Sequence, residues 1–117
     1  MTSADRRREL RAEYEQRHTE PGVYVLRNTV TGRILLASTS DLGSVRGKLD
    51  FAKATHTPSA LDGRLTTDVR QFGIGAFALE VLDVLAVTPE MTPADVQGDL
   101  RTLEAMWREK LAETPHY

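Results

Sequence analysis

The chain has 117 residues, of which 40% are hydrophobic and 27% are charged, and its formal net charge at pH 7 is −2. This length and composition are typical of one folded domain and exclude a largely disordered chain. The sequence contains no cysteine, which excludes disulfides and Cys-ligated zinc. No apolar run approaches the roughly 20 residues of a membrane span, so we expect no membrane partner.

The N-terminal residues carry the clearest basic cluster, formed by Arg6, Arg7 and Arg8. Acidic residues alternate with it, which favours a solvated helix face with local ion pairs over an arm that contacts phosphates. The slightly acidic net charge also argues against obligate non-specific DNA binding, because phosphate contacts favour a basic surface. This segment is too charged for a signal peptide, and we therefore expect a cytoplasmic location.

The first predicted element is a helix over residues 3–18. Ser3 can cap it, and Leu10 and Tyr14 lie on one face at a spacing of four residues. Because this apolar face is thin, we interpret residues 1–20 as an N-terminal helical extension.

Two strands follow, over residues 22–28 and 33–38. Both are rich in β-branched or aliphatic side chains, and the residues between them favour a turn in which Gly32 adopts a positive φ. The pattern predicts an antiparallel hairpin.

A helix beginning at Ser40 or Asp41 is predicted next, because apolar residues recur at intervals of three and four along one stripe. A second helix, capped by Ser59, is expected to run to Gly73, which ends it. The stripe of the first helix consists of Leu42, Val45, Leu49 and Ala52.

A third strand over residues 76–84 and a last helix complete the pattern. Thr92 and Pro93 favour the start of that helix, which is expected to run to about Ala112 with Trp107 facing inward. The sequence therefore predicts an α+β domain over residues 21–113, with a small three-stranded antiparallel sheet flanked by helices. Residues 114–117 form a C-terminal tail.

Short motifs spaced between residues 21 and 111 carry a resemblance to a known family. They are Gly22-Val23-Tyr24, the turn at Asn28 and Gly32, Leu35-Leu36-Ala37, residues 38–42, residues 65–73 and 77–83, and Glu104-Ala105-Met106-Trp107. In this order and spacing they resemble the GIY-YIG nuclease domain.

That resemblance implies phosphodiester hydrolysis with one divalent metal ion, held by a glutamate at position 104. It also implies that Tyr24 helps to activate water, and that an arginine on the first central helix stabilises the phosphorane. The arginine position is Val45, and Arg46 beside it is turned about 100° away around the helix. Leu35 stands at the second tyrosine position and Leu49 at the histidine position.

Three functions are compatible with these substitutions. The first is an inactive GIY-YIG-like domain that binds a protein or nucleic-acid partner, or forms a homodimer, and needs no cofactor. Its apolar groove would consist of Leu35, Val45 and Leu49, covered by the N-terminal helix or by another chain. The second is a divergent DNA endonuclease that uses Mg²⁺ or Mn²⁺ with Tyr24, Arg46 and Glu104.

The third function is a small DNA-binding module that uses the Arg6, Arg7 and Arg8 helix. Salt-sensitive retention of DNA without cleavage would distinguish this module from the other two functions.

Overall fold

A three-stranded antiparallel sheet forms the centre of the fold. The computed structural model describes residues 20–57 and 61–117. Strands β1 (Gly22–Asn28), β2 (Ile34–Thr39) and β3 (Phe77–Val84) are arranged in the order β2-β1-β3, and β1 pairs antiparallel with both neighbours. The predicted N-terminal helix, with Arg6, Arg7 and Arg8, lies outside the described residues.

In the part of the chain that the structure describes, three α-helices flank this sheet. They are α1 (Leu42–Thr55), α2 (Thr66–Phe72) and α3 (Pro93–Lys110), and short 3-10 turns at Gly63–Leu65 and Ile74–Ala76 bracket α2. The α+β fold class and the three antiparallel strands are confirmed. Within the described residues, no helix is both long and apolar enough to cross a membrane.

The two faces of the sheet bury different apolar clusters, because alternate residues of a strand point to opposite faces. On one face, Val23 and Val25 of β1 pack with Ile34 and Leu36, and α3 covers them. On the other face, a cluster built around Phe77 packs against α1 and α2. Its other buried members are Leu26, Leu35, Leu49, Ala52, Leu65, Val69, Ile74 and Ala76.

Side chains cap two of the helices as the sequence predicts. Asp41 accepts a hydrogen bond from the Ser44 N–H at the start of α1. At the start of α3, Thr92 and Asp95 form a reciprocal capping box, with Pro93 as the first helical residue. These caps fix the residues at which α1 and α3 begin.

The hairpin turn is held by the side chain of Asn28. Its Oδ1 atom accepts hydrogen bonds from the N–H groups of Val30 at 3.0 Å and Thr31 at 3.3 Å. Gly32 has a φ of 80°, the left-handed conformation that the sequence predicts for it.

The helix predicted from Ser59 to Gly73 does not run through Leu61. Asp62 instead caps the 3-10 turn, because its side chain accepts a hydrogen bond from the Arg64 N–H, and α2 begins only at Thr66. Ser59 itself lies outside the described residues. The interruption places Leu61 and Asp62 beside the sheet, where they help to form the site described next.

Candidate functional site: a cleft beside Tyr24

A cleft of about 340 Å³ lies between the sheet and α1. Its position follows from the strand periodicity, which places alternate residues of β1 and β2 on one face, and from the spacing of three residues that puts two α1 side chains opposite them. The residues that line it are Tyr24, Leu26, Leu35, Ala37, Val45, Lys48, Leu61 and Asp62. Most of this wall is apolar.

The Tyr24 hydroxyl lies in an environment that favours its protonated form. Burial raises its pKa above the usual value, the negative charges of Asp62 and Glu104 add to this effect, and the positive charge of Arg64 opposes it. At neutral pH the hydroxyl is therefore a hydrogen-bond donor rather than a phenolate. Three charged residues from two separate parts of the chain, the 3-10 turn and α3, thus act on Tyr24.

Asp62, which lines the cleft, forms a bidentate ion pair with Arg64. The guanidinium donates from Nε at 3.0 Å and from Nη2 at 2.9 Å to the two carboxylate oxygens. These side-chain bonds, together with one from the Arg64 backbone N–H, lower the pKa of Asp62 to about 2. Because the two charges compensate each other, this pair adds little net charge.

Glu104 lies on α3 and pairs with Arg108 one turn further along the helix. The closest nitrogen–oxygen distance is 3.5 Å, and 29% of the Glu104 side chain is exposed. Its charge also contributes to the raised pKa values of Tyr24 and Arg64. Glu104 is therefore both a flank residue with an ion-pair partner and part of the electrostatic surroundings of Tyr24.

The three apolar positions predicted as a groove occupy different depths. Leu35 and Leu49 are both 3% exposed and belong to the core cluster around Phe77. Val45 is partly buried and lines the cleft together with Leu35. Residues of the same domain therefore cover Leu49 and most of Leu35, and Val45 and the remaining surface of Leu35 face the cleft.

Arg46 and Trp107 lie away from the cleft wall. Arg46 is exposed on α1 and does not line the cleft. Trp107 is only partly buried, at the edge of the cluster under α3, and its indole N–H donates to Asp83 Oδ2 at 3.2 Å. The sequence predicts that Trp107 faces inward, and its ring does pack against that cluster, while the Asp83 hydrogen bond holds the polar edge of the ring at the rim of the sheet.

Three charged residues at the site were not predicted from the sequence, namely Lys48, Asp62 and Arg64. Lys48 follows Val45 by three residues, a spacing that places both on one side of α1. The Asp62–Arg64 pair depends on a 3-10 turn where the apolar period favours a continuous helix. Only the first of these signals can be read from the sequence.

A second polar cluster joins the C-terminal tail to the domain. The Tyr117 hydroxyl donates to Asp68 Oδ2 at 2.6 Å and accepts a hydrogen bond from Asn28 Nδ2 at 3.1 Å. The Arg33 guanidinium lies 4.3 Å from the centre of the Tyr117 ring. The Tyr117 N–H also donates to the carbonyl of Ile34, so the tail pairs with the outer edge of β2.

A wider groove of about 800 Å³ lies at the end of the sheet where β1 begins. Its apolar wall includes Pro21, Val84, Val87 and Val96. Two of these side chains, Val84 and Val87, are each 48% exposed. The groove shares no lining residue with the cleft beside Tyr24.

No group of three or more histidine and carboxylate side chains within residues 20–57 and 61–117 is arranged to hold a metal ion. No protein-family model, curated protein or solved structure matches the chain. The resemblance to the GIY-YIG nuclease domain therefore rests on the sequence motifs and on the order of the elements.

Proposed function

We propose that this protein is a GIY-YIG-like domain that does not hydrolyse phosphodiesters and acts by binding a partner. The observation that supports this most is the pairing of Tyr24 with Val45 and Leu35 in one cleft. Under this resemblance, apolar side chains occupy the positions of an arginine and a tyrosine. The cleft then keeps a proton donor but loses the arginine cation that the resemblance implies for phosphoryl chemistry, and the Lys48 ammonium that lines it is exposed.

The nearby arginine does not restore that cation. Arg64 is tied to Asp62 through two side-chain hydrogen bonds, so its charge is already compensated. Moving Arg64 onto a phosphate would leave the Asp62 carboxylate close to an anion. The electrostatics of the site therefore favour binding over catalysis.

The partner is a protein, a nucleic acid or a second copy of the chain. Two measurements distinguish these three kinds of partner. They are light scattering after size exclusion, and retention of labelled duplex DNA at increasing salt concentrations. A constant monomer mass without DNA retention favours a protein partner, and a doubled mass favours the homodimer. Retention that weakens steeply with salt favours DNA, with the Arg6, Arg7 and Arg8 cluster as its contact.

A divergent endonuclease is the second candidate, and one observation favours it. The negative charge of Glu104, the proposed metal ligand, acts on Tyr24, the proposed water-activating group. In this alternative Mg²⁺ or Mn²⁺ would supply the Lewis acid, and Arg46 or Arg64 would have to supply the positive charge. Metal-dependent cutting of plasmid DNA separates the two candidates.

A further inference from the structure

The cleft beside Tyr24 has the dimensions and the lining of a small-molecule site. Its volume of about 340 Å³ lies at the lower end of the range of roughly 300–1,000 Å³ that ligand pockets occupy. The wall is formed by Leu26, Leu35, Val45 and Leu61, and the polar groups come from Tyr24, Lys48 and Asp62. An apolar body with a few polar contacts fits such a lining.

Among the charges that the structure describes around the cleft, one cation is left uncompensated. Asp62 pairs with Arg64, and Glu104 pairs with Arg108. Lys48 is exposed and makes no ion pair with any of the residues that the structure describes. A ligand with an anionic group near the Lys48 ammonium would complement this charge distribution.

The Tyr24 hydroxyl adds a directional contact. Because burial and the neighbouring carboxylates favour its protonated form, it can donate a hydrogen bond to a ligand oxygen. An acceptor on the ligand would then be fixed beside the apolar wall. This contact favours a ligand that carries oxygen over a plain hydrocarbon.

We propose that this cleft binds a small organic anion whose ring system packs against Leu35, Val45 and Leu61. Its anionic group pairs with Lys48, and an oxygen accepts the hydrogen bond from Tyr24. This site needs neither metal nor nuclease chemistry, and it goes beyond the partner binding proposed above. It also lies apart from the larger groove near Val87.

Backbone amide NMR of the full chain tests this proposal with two matched probes, 2-naphthoate and its neutral analogue 2-naphthamide. We expect saturable shifts at amides of the cleft, such as those of Ala37, Val45 and Leu61, with both probes. The carboxylate should bind about fivefold more tightly than the carboxamide, which is the upper range for one exposed ion pair.

Two substitutions locate the binding. Lys48→Met removes the charge and keeps the length of the side chain, so naphthoate affinity should fall to that of naphthamide. Arg70→Met, an exposed cation on α2 that does not line the cleft, is the matched control and should change neither affinity. Val45→Trp fills the cleft and should abolish the shifts with both probes.

If Val45→Trp does not fold, the comparison of Lys48→Met with Arg70→Met decides the question alone. Equal affinity for the two probes, no saturable shifts, or shifts confined to the groove near Val87 would overturn the proposal. None of these readouts depends on cleavage or on a macromolecular partner. Failure of this inference is therefore distinct from failure of the proposed function.

Discussion

The Tyr117 hydroxyl donates a 2.6 Å hydrogen bond to the carboxylate of Asp68, which joins the C-terminal tail to α2. Asp68 is buried, and Asn28, fully buried, donates to the same hydroxyl. Tyr117→Phe removes the hydroxyl and leaves both polar groups with one partner fewer. We expect a loss of about 1–3 kcal/mol in the free energy of unfolding, measured by urea melts.

The control is Glu80→Gln, which weakens the partly exposed pair between Glu80 and Arg27. Such pairs contribute about 1 kcal/mol or less, so this variant should unfold close to the wild type. If Tyr117→Phe unfolds at the same urea concentration as the wild type, the buried network does not hold the tail.

The same tyrosine predicts how stability changes at alkaline pH. Burial and the hydrogen bond to Asp68 raise the pKa of Tyr117 above its ordinary value of 10.0. A raised pKa in the folded state means that the stabilisation is complete below pH 10 and is lost as the pH rises through the folded-state value. We expect Tyr117→Phe to show a shallower loss of stability than the wild type above pH 10.

Absorbance of the folded protein at the phenolate band, followed as the pH is raised, measures the tyrosine pKa values directly. Tyr24 and Tyr117, two of the three tyrosines, should both titrate above pH 10. Removal of Tyr117 should eliminate one of the two absorbance transitions above pH 10. An unchanged late amplitude in Tyr117→Phe would contradict this assignment.

Two glycines should respond in opposite directions to replacement by alanine. A Cβ atom at Gly22 would collide with the carbonyl oxygen of Asp83 and lie 2.7 Å from Leu42 Cδ1. We expect Gly22→Ala to cost roughly 1–3 kcal/mol, the usual cost of overpacking. Gly47 lies in α1 with open space around it, so Gly47→Ala should stabilise the protein by about 0.5–1 kcal/mol.

Urea melts of the two glycine variants check the prediction together. A neutral Gly22→Ala would mean that β1 and β3 can separate at this end of the sheet without cost. A destabilising Gly47→Ala would mean that α1 packs against another surface at Gly47, where the structure shows open space.

Charges placed at two neighbouring apolar positions of α1 should also have unequal effects. Val45 lines an open cleft, so the guanidinium of Val45→Arg can reach water and should cost about 1 kcal/mol or less. Leu49 is 3% exposed, and Leu49→Arg places an unpaired charge in the core, at a cost of about 3 kcal/mol or more.

Denaturant melts and light scattering of both variants measure these effects. If Val45→Arg lost as much stability as Leu49→Arg, or changed the oligomeric state, another segment or subunit would cover the cleft. The sequence motivates such a cover, by the N-terminal helix or by a second chain.

Much of the fold could be predicted from local sequence signals. Three of these signals each satisfy a backbone requirement within a few residues. They are the turn glycine at position 32, the Asp41 cap and the Thr92–Pro93 start of α3. The nearly continuous apolar run from Val23 to Leu26 in β1 likewise reflects burial on both of its faces. Signals of this kind need no tertiary contact to be read.

The candidate site was less predictable because long-range contacts shape it. The helical period through Leu61 and Leu65 favours one helix, but the Asp62 cap divides it and brings Arg64 near the cleft. The Tyr117 tail pairs with groups 49 and 89 residues away in the chain, and no local period encodes such contacts. Leu49 resembles Val45 in the helical stripe, yet only Val45 lines the cleft.

Cleavage of supercoiled plasmid DNA by the purified protein with Mg²⁺ or Mn²⁺ tests the central claim most directly. Under the proposed GIY-YIG resemblance, Val45 stands at the arginine position and a stabilising contact worth about 10²–10³ in rate is missing, so we expect no cutting above background. Metal-dependent cutting that disappears in Glu104→Ala, and in either Arg46→Ala or Arg64→Met, would contradict the inactive, partner-binding domain and establish the endonuclease.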